Sequence, residues 1–324
     1  MRLTVKILLA SLMSFSPTGV VLAEVPGQVI AARDTTTGWT AVMSAADGSN
    51  FTKVNCGGDL THQGSPRYFL DTIQTGHPLP GGLLDTELAA FNDDCTEAII
   101  LTNTPSIQFS IPRWSPDGQS IAVYGIEYNL ETGEVVEQGL YLADVLRDDS
   151  ERPAGIADLH LVIVGHGIVP ASWSGDGQRL AYVAAMPDGK GGSQGDIFVY
   201  DLGTSISSNV TNTPNFREDH PAYSPVDGRI AFTRQVAVRG GYRYDIFTIQ
   251  DLGGAEVQVT SKSTASNPQN KNPSFSPDGL YLSFVSGDPW KRFDIYRMKA
   301  NGSGKTVNLT YRRPGNFESN VWRK

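Results

Sequence analysis

Six polar side chains recur at one position, four residues ahead of a proline or of the residue that replaces it at the start of a repeated segment: His62, Gln108, His166, Arg217, Gln269 and Asn316. Four more ionisable residues stand nearer to those segments: Asp219, His220, Lys271 and Glu318. Amides, imidazoles and charged groups hydrogen-bond to polar ligands, and His62, His166 and His220 could together bind a divalent metal. Exposed loops are polar in any case, so solvated loops remain the alternative interpretation.

The segments that follow these residues share a pattern of an aromatic residue, a tight turn and an apolar run. They read "PRWSPDGQSIAVYG", "ASWSGDGQRLAYVA", "AYSPVDGRIAFTR" and "PSFSPDGLYLSFVS", and "SNVWRK" begins a further copy. Pro, Asp and Gly favour a tight turn between two strands. The turn therefore explains the aspartates better than catalysis does: Asp117, Asp176, Asp227 and Asp278. The aromatic series is Trp114, Trp173, Tyr223, Phe275 and Trp322.

Two further strands complete each repeat, as in "YDIFTIQDLGG" followed by "VQVTSK". The first copy lacks its first strand, which the C-terminal segment supplies. The sequence therefore predicts an all-β fold, a six-bladed β-propeller closed by N- and C-terminal strands that share one blade. The predicted blades are 319–324 with 24–56, then 57–104, 105–165, 166–212, 213–262 and 263–312. In the second blade, residues 65–85 must hold both of the first strands.

The repeat resembles that of TolB-like β-propellers, on the pattern P-x-W-S-P-D-G followed by I-A-F and D-I-Y. The resemblance covers nearly all of the chain after residue 23, strongly in four blades and weakly in the first two. It implies the fold and an exported location. TolB also has an N-terminal α/β domain, which has no counterpart here, so partner contacts made through that domain are not implied for this chain.

The N-terminal residues 1–23 have the pattern of a secretory signal peptide, with "MRLTVK" ahead of the apolar run "ILLASLMSF". We expect residues 24–324 to form one domain in the periplasm or outside the cell, without a membrane span. The net charge is −8, and no basic run is interleaved with aromatics, so we expect no nucleic-acid binding. An oxidising compartment favours a disulfide between Cys56 and Cys95, but the predicted topology places them on opposite faces. We predict two free thiols.

In a propeller, the loop that enters each innermost strand runs toward the central axis on one face. The ten residues of the opening paragraph would meet there, and we call them the predicted axial ring. Four connections between second and third strands would lie on the same face as long loops. Two of these contain Trp290, Tyr242 and Tyr244 with Arg239, Arg243, Lys291 and Arg292, a composition typical of interfaces but also of loop anchors.

The segment "GGSQG" (191–195) matches G-x-S-x-G, but it is a Gly-rich loop between predicted strands of the fourth blade and lacks the strand–turn–helix context of a nucleophile elbow. The chain has no Walker phosphate-binding loop, H-E-x-x-H or C-x-x-C motif. The prediction is therefore a monomeric, non-catalytic module of the cell envelope that recognises a protein or an extracellular ligand and needs no cofactor. The alternative is a metal-dependent carbohydrate-active enzyme, similar to the uronate lyases that share this fold, or a carbohydrate binder. In that case, the axial ring would hold a divalent metal at the propeller axis.

Overall fold

A computed structural model describes residues 28–35, 38–45, 52–54, 68–79, 84–92, 96–187, 193–239, 241–260, 269–288, 292–313 and 316–323. These residues form 23 strands, and no helix occurs among them, as the all-β prediction requires. Within the same ranges, no helix has the length and apolarity needed to cross a membrane. The predicted signal peptide, Cys56 and Cys95 lie outside the described residues, and so do the side chains of residues 28–54.

The two ends of the described chain share one four-stranded sheet in the order β23-β1-β2-β3. Its strands are β1 (Gln28–Thr35), β2 (Gly38–Ala45), β3 (Thr52–Val54) and β23 (Asn316–Arg323). Strand β23 runs antiparallel to β1 from Gln28↔Arg323 to Asp34↔Asn316. The predicted pairing of the terminal strands is therefore present, while a closed ring and the count of six blades remain predictions.

The predicted second and third blades are joined in one seven-stranded sheet, because Thr86 pairs with Gln108 in parallel. The first three strands are β4 (Tyr68–Pro78), β5 (Leu84–Asn92) and β6 (Ala98–Ile100). The next four are β7 (Ile107–Trp114), β8 (Ser120–Tyr128), β9 (Val135–Arg147) and β10 (Pro153–Val164). The prediction that residues 65–85 hold two complete strands is wrong: they hold β4 and only the first residues of β5.

The remaining predicted blades are three separate four-stranded antiparallel sheets, each in chain order. One contains β11 (Val169–Trp173), β12 (Arg179–Pro187), β13 (Ser193–Asp201) and β14 (Ile206–Asn209). The next contains β15 (Glu218–Tyr223), β16 (Arg229–Val238), β17 (Gly241–Gln250) and β18 (Val257–Gln258). The last contains β19 (Gln269–Phe275), β20 (Tyr281–Asp288), β21 (Arg292–Lys299) and β22 (Val307–Asn308).

The repeated aspartates hold the turns between first and second strands. The Ser115 hydroxyl donates to Asp117 at 2.6 Å, and the amide of Gln119 donates to the same carboxylate at 3.0 Å. The turn closes where the Gly118 amide donates to the Ser115 carbonyl at 2.9 Å. Ser174 and Asp176 repeat these contacts, and the Ser174 hydroxyl lowers the pKa of Asp176. The structural interpretation of these aspartates is confirmed.

The repeated aromatic residues are buried between neighbouring sheets: Trp114, Trp173, Tyr223 and Phe275. Each packs with apolar residues of the second and third strands, such as Leu180 beside Trp173. The Trp173 indole N–H also donates to the Arg113 carbonyl of the preceding sheet at 3.2 Å. The aromatic residue therefore contributes both apolar burial and a hydrogen bond between sheets.

A threonine hydroxyl fixes the outer part of four predicted blades. In each, it accepts the amide N–H of the apolar residue that begins the buried run of the third strand. The amide-to-hydroxyl distances are 2.8 to 3.0 Å for Leu88 to Thr102, Ile197 to Thr211, Ile246 to Thr260 and Ile295 to Thr310. The residue before each amide is acidic, and the hydroxyls of Thr260 and Thr310 donate to Asp245 at 3.1 Å and to Asp294 at 2.8 Å.

The connections between second and third strands are hairpins and not the long loops predicted. Pairing of β16 with β17 continues to Val238↔Gly241, and pairing of β8 with β9 continues to Tyr128↔Val135. Tyr242, Tyr244, Arg243 and Arg292 are therefore strand residues. Because side chains alternate along a strand, each of these four side chains lies on one face of its sheet.

Replacing Gly279 with alanine should cost more stability than replacing Gly177. Both glycines have φ of +69°, so each alanine meets the backbone penalty of about 1 kcal/mol. A Cβ on Gly279 would also lie 2.4 Å from Cγ2 of Val226, whereas a Cβ on Gly177 meets only Cδ of Pro116 at 3.7 Å. We expect an additional loss of about 1–3 kcal/mol for Gly279→Ala in urea unfolding. Equal losses in the two variants would contradict this packing.

Deletion of residues 319–324 should destabilise the whole protein, because it removes the pairing of β23 with residues 28–32 of β1. We expect the main thermal transition to shift to lower temperature as a unit. A variant that lacks only Lys324 is the control. If the deletion variant unfolds at the same temperature as the control, the C-terminal strand is not an integral part of the first sheet.

Candidate functional site

A β-bulge recurs in three of the first strands, β7, β15 and β19, and changes the direction of the residues ahead of it. The register shifts between Ser110 and Arg113 in β7, between Asp219 and Ala222 in β15, and between Lys271 and Ser274 in β19. One residue inside each bulge has positive φ: Ile111 at 55°, His220 at 52° and Asn272 at 52°. Bulges of this kind occur often beside functional sites, where they re-aim side chains.

The start of each of these strands lies at the end of the sheet where the hairpins turn. Gln269 pairs with Gly287, and Gln108 pairs with Ile126. The amide of Gln235 donates to the carbonyl of Arg217, so Arg217 lies beside the hairpin of β16 and β17. The described members of the predicted axial ring therefore lie at the same end of their sheets as the hairpins.

The ring residues differ in exposure. His166, Arg217 and His220 are exposed, and Gln108, Asp219 and Lys271 are half-buried, whereas Gln269 is buried. His62 lies outside the described residues. Asn316 and Glu318 belong to β23, but their side chains are not described. Gln269 therefore does not fit the alternative interpretation of solvated loops, and its amide group donates to the Tyr242 carbonyl at 3.4 Å.

Few contacts join the ring residues to one another. Nδ1 of His220 lies 3.4 Å from Oδ1 of Asp219, and the His220 amide donates to the same oxygen at 2.9 Å. Nδ1 of His166 lies 3.4 Å from Oε1 of Gln138. The described residues contain no group of three His, Cys, Asp or Glu side chains that could hold a metal ion. Because His62 is not among them, the three-histidine site remains a prediction.

Lys271 connects two predicted blades through aromatic rings. Its ammonium lies 4.4 Å from the ring centre of Tyr244 on β17 and 5.8 Å from that of Phe293 on β21. A cation over an aromatic face is stabilised by the ring quadrupole. Lys271 and Arg217 make this part of the axial ring cationic, and Tyr244 and Phe293 make it aromatic.

A buried ionic cluster beside the ring was not predicted from the sequence. The Arg234 guanidinium donates to the carboxylates of Glu218 and Glu256, and its carbon lies 4.7 Å from the ring centre of Phe247. Glu218 and Arg234 are almost fully buried. Burial raises the pKa of Glu218, and the charge of Arg234 acts in the opposite direction. The three ionised groups lie in different strands or loops, so no motif identifies them.

Removing the Arg234 side chain should cost about 3–5 kcal/mol, because Glu218 would keep its buried charge without its closest cation. The cost should depend on pH. Burial already raises the pKa of Glu218, and the loss of Arg234 raises it further, so protonation stabilises the folded variant. Relative to wild type, Arg234→Ala should therefore lose stability as pH rises from 4 to 7.

The control is Arg297→Ala, which removes an arginine stacked on Tyr281 at 5.0 Å and should cost about 1 kcal/mol or less. Urea unfolding at several pH values measures both variants. A cost for Arg234→Ala that is the same at pH 4 and pH 7 would show that Glu218 is not left as a buried charge.

No family model and no curated protein matches the sequence. The similarities found are therefore to solved structures alone, and they concern the fold. TolB from Acinetobacter baumannii superimposes with a TM-score of 0.63 at 15% identity, over 93% of this chain and 67% of that one. A putative TolB from Agrobacterium tumefaciens gives 0.57 at 19% identity, over 87% and 88%.

The β-propeller domain of the Trilobed protease from Pyrococcus furiosus gives a TM-score of 0.50 at 9% identity, over 89% of this chain and 96% of that domain. That domain has an open velcro topology, so a β-propeller fold does not by itself establish a closed ring. Identities in this range relate folds and not activities. The chain has a TolB-like β-propeller fold.

Proposed function

We propose that the protein is an exported, non-catalytic recognition module that binds a protein or an extracellular ligand of the cell envelope through the axial ring. In this proposal, six blades form a ring closed by β23 and β1, and the N-terminal signal peptide directs export to the periplasm or beyond. The observation that carries the proposal is the bridge from Lys271 to Tyr244 and Phe293, which belong to neighbouring blades. The resemblance to TolB in fold supports the compartment.

The bridge favours recognition over catalysis for a physical reason. The cation of Lys271 lies over two aromatic faces, an arrangement that holds a cation in place and is typical of a binding contact. Exposed Arg217 and His220 extend the polar surface around it. Aromatic residues and arginine are the side chains that contribute most to protein interfaces. This surface suits a partner with acidic or hydrogen-bonding groups.

A charge-matched pair of double variants tests the proposal. Arg217→Gln with Lys271→Gln removes two cations from the axial ring. Lys299→Gln with Lys305→Gln removes two exposed cations from the opposite end of the sheet that contains β19–β22. Immobilised mature protein is used to capture binders from the envelope fraction. We expect a specific binder to be lost about tenfold or more with the first variant and retained with the second.

Equal retention by both variants would contradict a role for the axial ring.

Metal content of the purified protein tests the enzymatic alternative, since a metal-dependent lyase requires a bound ion. A stoichiometric metal that is lost on substitution of His62, His166 and His220 would replace the recognition proposal. Finding the chain uncleaved in the cytoplasm would contradict export, whereas a mature N-terminus at Glu24 would support it.

A further inference from the structure

The hairpin of β8 and β9 carries two glutamates directly opposite each other. Glu127 pairs with Glu137 in the antiparallel register, so their Cβ atoms lie about 4.5–5.5 Å apart. Like charges at directly opposed positions destabilise a sheet. Glu137 is exposed and Glu127 is half-buried, so neither carboxylate belongs to the buried core.

No basic side chain compensates this pair within the described part of the chain. Other carboxylates near the hairpin ends do have arginine partners: Glu218 and Glu256 with Arg234, Asp245 with Arg243, and Asp294 with Arg292. The described residues provide no ion pair for Glu127 or Glu137. The pair therefore differs from the acidic residues that stabilise the fold.

Tyr141 points its hydroxyl toward the same place. Side chains alternate along a strand, so Gly125 and Glu127 share a face with Glu137 and Tyr141. The Tyr141 ring crosses Gly125, where a Cβ would lie 2.9 Å from ring atoms Cδ2 and Cε2, and this directs the hydroxyl along the hairpin toward the glutamates. Tyr141 is 4% exposed, and its hydroxyl has no hydrogen-bond partner among the described residues.

The ionisation of Tyr141 agrees with this geometry. Burial raises its pKa to about 12, and the negative charges of Glu137 and Glu127 add to the increase. A buried hydroxyl without a partner is costly, and so is an unscreened pair of carboxylates. One cationic donor placed between them would relieve both.

Beyond these two glutamates, the end of the hairpin is apolar and acidic. Leu130, Val135 and Val136 are 52%, 47% and 62% exposed. A register shift between Glu127 and Tyr128 places Val136 in a bulge, and Glu131 and Glu134 are exposed beside it. Three exposed apolar side chains with four glutamates fit a segment that carries both positive charge and apolar groups.

We propose that the β8–β9 hairpin binds a basic peptide segment of a partner protein, with one lysine or arginine between Glu127, Glu137 and the Tyr141 hydroxyl and with flanking apolar residues on Leu130, Val135 and Val136. A single ammonium or guanidinium can donate to both carboxylates and to the phenolic oxygen. This goes beyond the proposed function, because the hairpin site uses none of the axial-ring residues.

The test uses two labelled peptides that differ by one charge. The first has a single lysine between two leucines, and the second has acetyl-lysine in place of the lysine. We expect wild-type protein to bind the lysine peptide about tenfold more tightly. Glu127→Gln with Glu137→Gln should abolish this preference. The control Asp149→Asn with Glu151→Gln changes the charge equally at the turn between β9 and β10, at the other end of β9, and should retain it.

Stability without peptide gives a second measurement. If the glutamates repel each other, Glu127→Gln with Glu137→Gln should raise the thermal midpoint at low salt, whereas a lower midpoint would reveal an internal cation and overturn the proposal. Equal affinity of wild type for the two peptides, or equal loss in both double variants, would also overturn it. So would stabilisation by Ca²⁺ without peptide discrimination, since the pair would then be a metal site. The variant Arg217→Gln with Lys271→Gln, which changes no residue of the seven-stranded sheet, should leave these outcomes unaffected.

Discussion

The outer half of the molecule depends on the hydroxyl of one threonine in each of four blades. The fourth strands are too short to be held by strand pairing alone: β18 and β22 have two residues each. The threonine accepts an amide of the third strand, and in two blades it also donates to the carboxylate before that amide. These bonds anchor the outermost segment, and the threonine is one of the hydrogen-bond donors to Asp245 and Asp294. The outermost segment is thereby held beside the third strand in each of these sheets.

The aromatic residue of the first strand joins each sheet to the sheet before it. Trp173 is buried against its own sheet and donates to the carbonyl of Arg113 in the preceding one. The Tyr223 amide likewise donates to the Ser172 hydroxyl at 2.9 Å. Neighbouring sheets are therefore joined by directional bonds as well as by apolar contact, so the angle between them is fixed. Arg234 and Lys271 extend these connections to the hairpin end.

The predictable parts of the structure are those that local sequence determines. The pattern of Trp, Ser, Pro, Asp and Gly specifies a turn, and the same residues recur where the turns are found, as at Asp117 and Gly118. The hairpins were predicted as loops because polar residues such as Gln235 and Arg243 hide the alternation of half-exposed strands. The second blade lacks the motif altogether. Gln108, Arg217 and Gln269 lie at the hairpin ends of their sheets, whereas their meeting at one axis stays a prediction. The contact of Gln269 with Tyr242 of another sheet could not be predicted from local sequence. The Arg234 cluster joins residues 218, 234 and 256, a long-range arrangement that no spacing reveals.

The edge strands of the described sheets have a consequence for how the molecule meets other chains. An unpaired strand edge is a template for another strand, and most outer strands here are too short to serve as one. The two edge strands of the seven-stranded sheet are longer: β10 has twelve residues and β4 has eleven. The register of β10 against β9 breaks three times, Asp158 adopts φ of 52°, and Pro153 removes one donor. The longest edge strand among the described residues is thus irregular, and this irregularity discourages the addition of a strand from another chain at that edge.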